Sequence, residues 1–246
     1  MAYIAHTLTN LPAVRRWDTP RWMHNMNRVL GKLHVPFSLQ RRFDPREDMV
    51  SLEQIANFEL LIHDLLDHGV PGAFVELGCY MGSTASVISC LLQDLDPGRA
   101  FHVYDSFDME LGRDRGIRAL FEANMQAAVV PMPIIHAGDV YDLVPRELPD
   151  RIAFAHIDLG TGRTVQNHLP LMHHTLAAVY DRLEPEGILF LMDHHVNGKT
   201  IHGHDSNPGV RIAADMFFAD KPEGIHLLYG GPCSHAYVRK RQADTG

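Results

Sequence analysis

The sequence is poor in cysteine, has no long apolar run and carries no excess of positive charge. Its three cysteines, Cys79, Cys90 and Cys233, show no paired spacing among 246 residues. That excludes a disulfide framework or a zinc knuckle, and the three read as free thiols of a cytoplasmic protein. No apolar stretch approaches the roughly 20 residues of a membrane span. The opening MAYIAHTLTNLPAVRRWDTP lacks the basic-then-apolar layout of a secretion signal. A formal net charge of −8 speaks against a nucleic-acid surface. Neither membrane nor nucleic acid is therefore expected as a partner. What the chain has in quantity is histidine: 17 residues, eight of them between His156 and His204.

The length suits one large α/β domain with an added segment. Residues 1–50 carry many Arg, Asn, His and Trp without sustained periodicity. They read as an N-terminal cap, either a lid over a site or a contact surface in a homo-oligomer. From residue 51 the pattern is regular. SLEQIANFELLIHDLLDHG has helical spacing, a candidate capping box in Ser51 and Gln54, and a stop at Gly69. Apolar strands then alternate with helices: Ala73–Leu77, Ala100–Asp105, PIIHAGD, Arg151–Asp158 and Gly187–Asp193, with GIHLLYG and SHAYVRK as a closing hairpin. Strands apolar throughout and separated by helices imply a doubly wound, mostly parallel α/β sheet of seven strands over residues 51–246.

Ligands of such sheets bind beyond the C-terminal ends of the strands. Glu76, Asp105, Asp139, Asp158 and Asp193 all fall at or just after predicted strand ends. The loop VELGCYMGSTAS opens a helix after the first strand. Gly78 and Gly82 allow close backbone approach, and the helix start at Ser83 and Thr84 offers N–H groups to an anion. A dinucleotide fingerprint wants glycine where Tyr80 stands, which counts against a nicotinamide oxidoreductase.

The pattern E-x-G-x-x-x-G-S resembles the first motif of class I S-adenosylmethionine (SAM) methyltransferases. That resemblance implies that Glu76, Gly78, Tyr80, Gly82, Ser83 and Thr84 wrap the methionine end of SAM, that Asp105 and Ser106 hold the ribose, and that Asp139 lies at the adenine. The segments VYDSFDMELG, AFAHIDLGTGRTVQNHLPLMHHTLAAVYDRLEPEGILFLMDHH and PGVRIAADMFFADKPEG resemble the macrocin O-methyltransferase family, which methylates sugar hydroxyls of natural products. The likeness spans about residues 72–240.

The same resemblance implies a divalent metal, magnesium, manganese or iron, on Asp158, Asp193 and His194. Two departures stand out. The family's Asp-Asp-Tyr is here Asp193-His194-His195, and its Asp-x-Tyr after the fourth strand is Asp158-Leu159-Gly160. Imidazole suits softer metals than magnesium. A metal would lower the pKa of an acceptor hydroxyl. Without one, His194 or His195 is a general base oriented by Asp158 or Asp193. Asp158, His194 and His195 are thus the candidate catalytic residues.

The expected activity is methyl transfer from SAM to a hydroxyl of a small natural product, a sugar or a phenol. C-methylation or rearrangement on the same scaffold, a nicotinamide-dependent oxidoreductase, and metal or ligand binding without turnover stay open beside it. His202 and His204 sit on a Gly- and Asn-rich loop, either a lid or plain surface. His173 and His174 lie mid-helix, with at least one exposed, and His156 is expected as a satisfied core histidine.

Overall fold

The computed structural model describes residues 21–35, 39, 50–108, 116–160, 164–200, 205, 207–230 and 234–242. Seven strands form one sheet: β1 (Ala73–Leu77), β2 (Phe101–Asp105), β3 (Ile134–Ala137), β4 (Ile152–Ile157), β5 (Leu183–Met192), β6 (His226–Leu228) and β7 (His235–Arg239). Their order is β3-β2-β1-β4-β5-β7-β6. Strands β1 to β5 pair in parallel, and β7 lies antiparallel between β5 and β6. The chain runs outward from β1 to β3 and then returns to begin again at β4. The switch point therefore lies between β1 and β4, where such sheets bind ligands.

Both faces of the sheet are covered. β1 and β4 are buried at every residue, which is why they lack the alternation of a half-solvated strand. Side chains of successive residues point to opposite faces. Phe74 joins Phe58, Ile88, Phe121, Phe154 and Phe190 on one side. Val75 and Leu77 join Met172, Leu176, Leu189, Val210 and Ala213 on the other. The covering helices are α2 (Leu52–Asp67), α3 (Ser83–Leu95), α4 (Ile117–Ala128), α6 (Val165–Arg182) and α7 (Pro208–Phe218). A short α5 (Val140–Leu143) and, in the N-terminal segment, α1 (Arg21–Lys32) complete the described helices.

The capping box forms as the sequence suggests. Gln54 N–H donates to Ser51 Oγ at 3.0 Å and Ser51 N–H to Gln54 Oε1 at 3.4 Å. The Gln54 amide also donates to Met192 Sδ at 3.1 Å, which ties the start of α2 to the end of β5. β5 starts at Leu183, four residues before the strand start expected at Gly187. Leu183 pairs with Ile152, the register then shifts, and Ile188 pairs with Phe154. Glu186, at φ +66°, sits in that irregularity. Among the described residues no helix is long and apolar enough to cross a membrane. His202, His204 and Cys233 lie outside the described residues, as does most of the segment 1–50.

Candidate active site

The loop from β1 to α3 is built on close backbone approach. A Cβ at Gly78 would lie 1.9 Å from the carbonyl oxygen of Asp158, and its φ is +84°. Only glycine lets the ends of β1 and β4 meet there. Asp105, at the end of β2, then fixes the loop. Its Oδ2 accepts the N–H groups of Cys79 at 2.9 Å and Tyr80 at 2.7 Å, and its Oδ1 accepts that of Phe107 at 2.8 Å. Tyr80 and Phe107 both hold positive φ, +43° and +54°, the kind of backbone strain that persists where surrounding contacts enforce it. Among the described residues no side chain caps α3. Its first-turn N–H groups are thus left for another acceptor.

Glu76 is fully buried, and the parallel register of β1 and β4 sets it opposite His156. Its Oε1 is shared by His156 Nδ1, at 2.9 Å, and by the hydroxyl of Thr84 from the first turn of α3. Among the described residues Glu76 Oε2 and His156 Nε2 have no hydrogen-bond partner. His156 stands edge-on to Phe58 and Phe190. The expected core histidine is therefore satisfied at one nitrogen, and it orients the acid that begins the loop.

Asp158 follows β4 and meets three other carboxylates. Burial raises its pKa well above the ordinary carboxyl range, and the charges of Asp193, Glu76 and Asp105 raise it further. A hydrogen bond from the Gly160 backbone opposes them. The Cys79 thiol is pushed up in the same way, by burial and then by Glu76 and Asp105. Four acids from β1, β2, β4 and β5 thus converge on the switch point. Such a field favours a cationic ligand.

Asp193 leaves β5 at φ +61°, and its Oδ2 accepts the side-chain amide of Asn207 at 2.7 Å. That pair occupies the space of a missing side chain. A Cβ at Gly160 would stand 2.2 Å from Asp193 Oδ2 and 2.4 Å from Asn207 Nδ2. Asn207 immediately precedes α7 and was not among the residues singled out by sequence. The one signal for it is its place before the helix-starting Pro208.

The two histidines diverge. His194 is 2% exposed. Its Nε2 lies 3.9 Å from Asp215 Oδ1 on α7, and among the described residues neither ring nitrogen has a side-chain hydrogen-bond partner. Burial lowers its pKa, and Asp215 opposes that shift. His195 is half-buried; its Nδ1 lies 2.7 Å from Thr200 Oγ1 and 3.2 Å from Ser234 Oγ.

The expected metal set therefore does not assemble. Asp158 and Asp193 are electrostatic neighbours, but the imidazole of His194 faces α7. Among the described residues no group of three or more His, Cys, Asp or Glu is placed to hold a metal ion. The departure at His194 has a local cause: the ring packs as a buried side chain under α7. Of the other expected contacts, Asp139 caps α5 through the Tyr141 N–H at 2.8 Å, and Ser106 donates to Asp108.

No protein-family model matches the chain, and a search of curated proteins finds no relative. Solved structures do match. The O-methyltransferase NovP shares 16% identity over 98% of this chain and 99% of its own, at a TM-score of 0.66. CalS11, a TDP-rhamnose 3'-O-methyltransferase of calicheamicin biosynthesis, shares 22% over 90% of this chain and 95% of its own, at 0.56. The S-adenosylhomocysteine-bound methyltransferase PaMTH1 of Podospora anserina shares 14% over 97% of this chain and 93% of its own, at 0.58. The strand order, the loop after β1 and these likenesses agree: the chain has the fold of class I SAM-dependent methyltransferases.

Proposed function

We propose that the chain is a SAM-dependent O-methyltransferase acting on a hydroxyl of a small natural product, a sugar or a phenol. The observation that carries this reading is the cluster of Glu76, Asp105, Asp158 and Asp193 at the switch point. SAM brings a sulfonium and an ammonium to that cluster. Its carboxylate suits the uncapped first turn of α3. Asp105, already bonded to the loop backbone, would take the ribose hydroxyls, with Ser106 beside it, and Asp139 would lie at the adenine.

In the transfer the acceptor oxygen forms a bond to the methyl carbon as the carbon–sulfur bond breaks. Neutral S-adenosylhomocysteine leaves and the hydroxyl proton passes to a base. Sulfonium charge is lost along the way, so the acids bind the cofactor rather than stabilise the transition state. The rate then rests on in-line positioning and on proton removal. His195 suits the base better than His194, which is sealed from an acceptor at 2% exposure. Thr200 Oγ1 lies within hydrogen-bond distance of both His195 Nδ1 and the Val196 carbonyl oxygen. With its hydroxyl donating to that carbonyl, Thr200 Oγ1 accepts a hydrogen bond from His195 Nδ1–H. Nε2 is then left as the lone-pair nitrogen.

The test is S-adenosylhomocysteine release with panels of sugars and phenols, including nucleoside-diphosphate sugars. Turnover with one class, lost in His195→Ala while SAM binding persists, supports the reading. Turnover that survives His195→Ala assigns the base elsewhere.

A further inference from the structure

Away from the rim acids, two histidines and a glutamate meet at the β3 edge of the sheet. His102 and Tyr104 of β2 share a face, opposite to that of Asp105, and the register sets Tyr104 beside His136 of β3. His102 Nδ1 lies 3.0 Å from His136 Nε2, and His136 Nδ1 lies 3.0 Å from Glu147 Oε2. The His136 ring stacks on both β2 side chains, its centroid 5.3 Å from that of His102 and 4.4 Å from that of Tyr104. The Tyr104 hydroxyl donates to the Glu147 carbonyl oxygen at 2.8 Å, which holds the residue that carries the carboxylate. β3 ends the sheet and neither imidazole is fully buried, so the pair borders solvent. Methyl transfer uses none of these side chains.

The carboxylate fixes the proton positions. An ionised Glu147 only accepts, so the neutral His136 ring carries its proton on Nδ1 and turns the lone pair of Nε2 toward His102. Burial, and then the neighbouring His136, lower the pKa of His102, which favours the neutral ring that a metal ligand must be. Once its proton sits on Nε2, His102 Nδ1 presents a second lone pair to the same point. Two nitrogens on one tetrahedral zinc, at bonds of roughly 2.0–2.1 Å, stand about 3.3 Å apart, so the pair needs to open by only about 0.3 Å. A metal-bound histidine commonly donates its other N–H to a carboxylate that sets the ring's tautomer and direction. Glu147 Oε2 stands in that place, while its Oε1 is 3.6 Å from Arg146.

We propose that His102 and His136 bind a divalent zinc ion between them, with Glu147 orienting His136 and water completing the shell. Imidazole ligands favour zinc, copper or nickel, whereas magnesium wants oxygen. Calorimetric titration of the full chain with zinc chloride tests it, with circular dichroism confirming that each variant folds. The expected result is one equivalent whose affinity falls at least about tenfold in His102→Gln, in His136→Gln and in Glu147→Ala. Asp193→Ala, at the rim, should leave that equivalent in place. Zinc should also raise the melting temperature of the wild-type chain and leave that of His102→Gln unchanged. No zinc bound at high micromolar concentration overturns the proposal, as does binding indifferent to His102→Gln. So does an equivalent lost in a folded Asp193→Ala, or magnesium bound as tightly as zinc.

Discussion

The side-chain amide of Asn207 donates to Asp193 Oδ2 across 2.7 Å, through the volume that any side chain at Gly160 would claim. An aspartate read as a metal ligand is thus engaged by an amide from the start of α7, and the residue after it, His194, turns toward Asp215. Gly160→Ala drives a methyl group against the ends of two flexible side chains rather than against backbone. Stability is expected to change by about 1 kcal/mol or less. Methyl transfer should fall roughly tenfold or more as Asp193 is displaced, and Asn207→Ala should reproduce that loss. Thermal melts with single-turnover rates check the separation.

Gly78 has no such latitude. Its Cβ would collide with the carbonyl oxygen of Asp158, and its backbone is left-handed. Gly78→Ala should cost about 3 kcal/mol or more and abolish cofactor binding. Denaturant unfolding measures the first effect and calorimetry the second.

The crowding of Asp158 sets a pH dependence. Its folded-state pKa is raised, chiefly by burial and then by Asp193, Glu76 and Asp105. A raised carboxyl favours the folded state while protonated. Its contribution to stability is therefore lost as pH rises from the unfolded value through the folded one. Asp158→Asn should stabilise the protein at neutral pH, by about 0.5–2 kcal/mol. A cationic ligand lowers the same pKa. Affinity for SAM should therefore rise with pH through the folded pKa and then level, with a proton released on binding. Calorimetry in buffers of different ionisation enthalpy reads that proton, and Asp158→Asn should abolish it.

His156 acts through Glu76. His156→Phe keeps the ring between Phe58 and Phe190 but withdraws a donor from a fully buried carboxylate. The expected loss is about 1–3 kcal/mol of stability, together with weaker cofactor binding. If binding is unchanged in a folded variant, the pair is structural only.

Much of the fold was legible because burial on both faces writes strands as apolar runs, as in Ala73–Leu77 and Ile152–Ile157. The rim acids were legible because those runs end in Glu76, Asp105, Asp158 and Asp193. Side-chain direction was not. Asp193-His194-His195 reads as one polar cluster, yet a left-handed Asp193 sends His194 under α7 while His195 meets Thr200 and Ser234. The Glu76–His156 pair depends on the register between β1 and β4, and Asn207 lies 14 residues beyond Asp193. Neither contact follows from spacing along the chain. Leu183 entered β5 because an irregularity lets it pair ahead of the main run.

The most direct test of the central claim is titration calorimetry with S-adenosylhomocysteine on the wild-type chain and on Asp105→Ala. The account predicts micromolar binding that weakens at least about tenfold in the variant, roughly 1.4 kcal/mol, because Asp105 shapes the loop and, on the proposed function, would take the ribose hydroxyls. No heat at high micromolar ligand, or equal affinity in a folded Asp105→Ala, would contradict it.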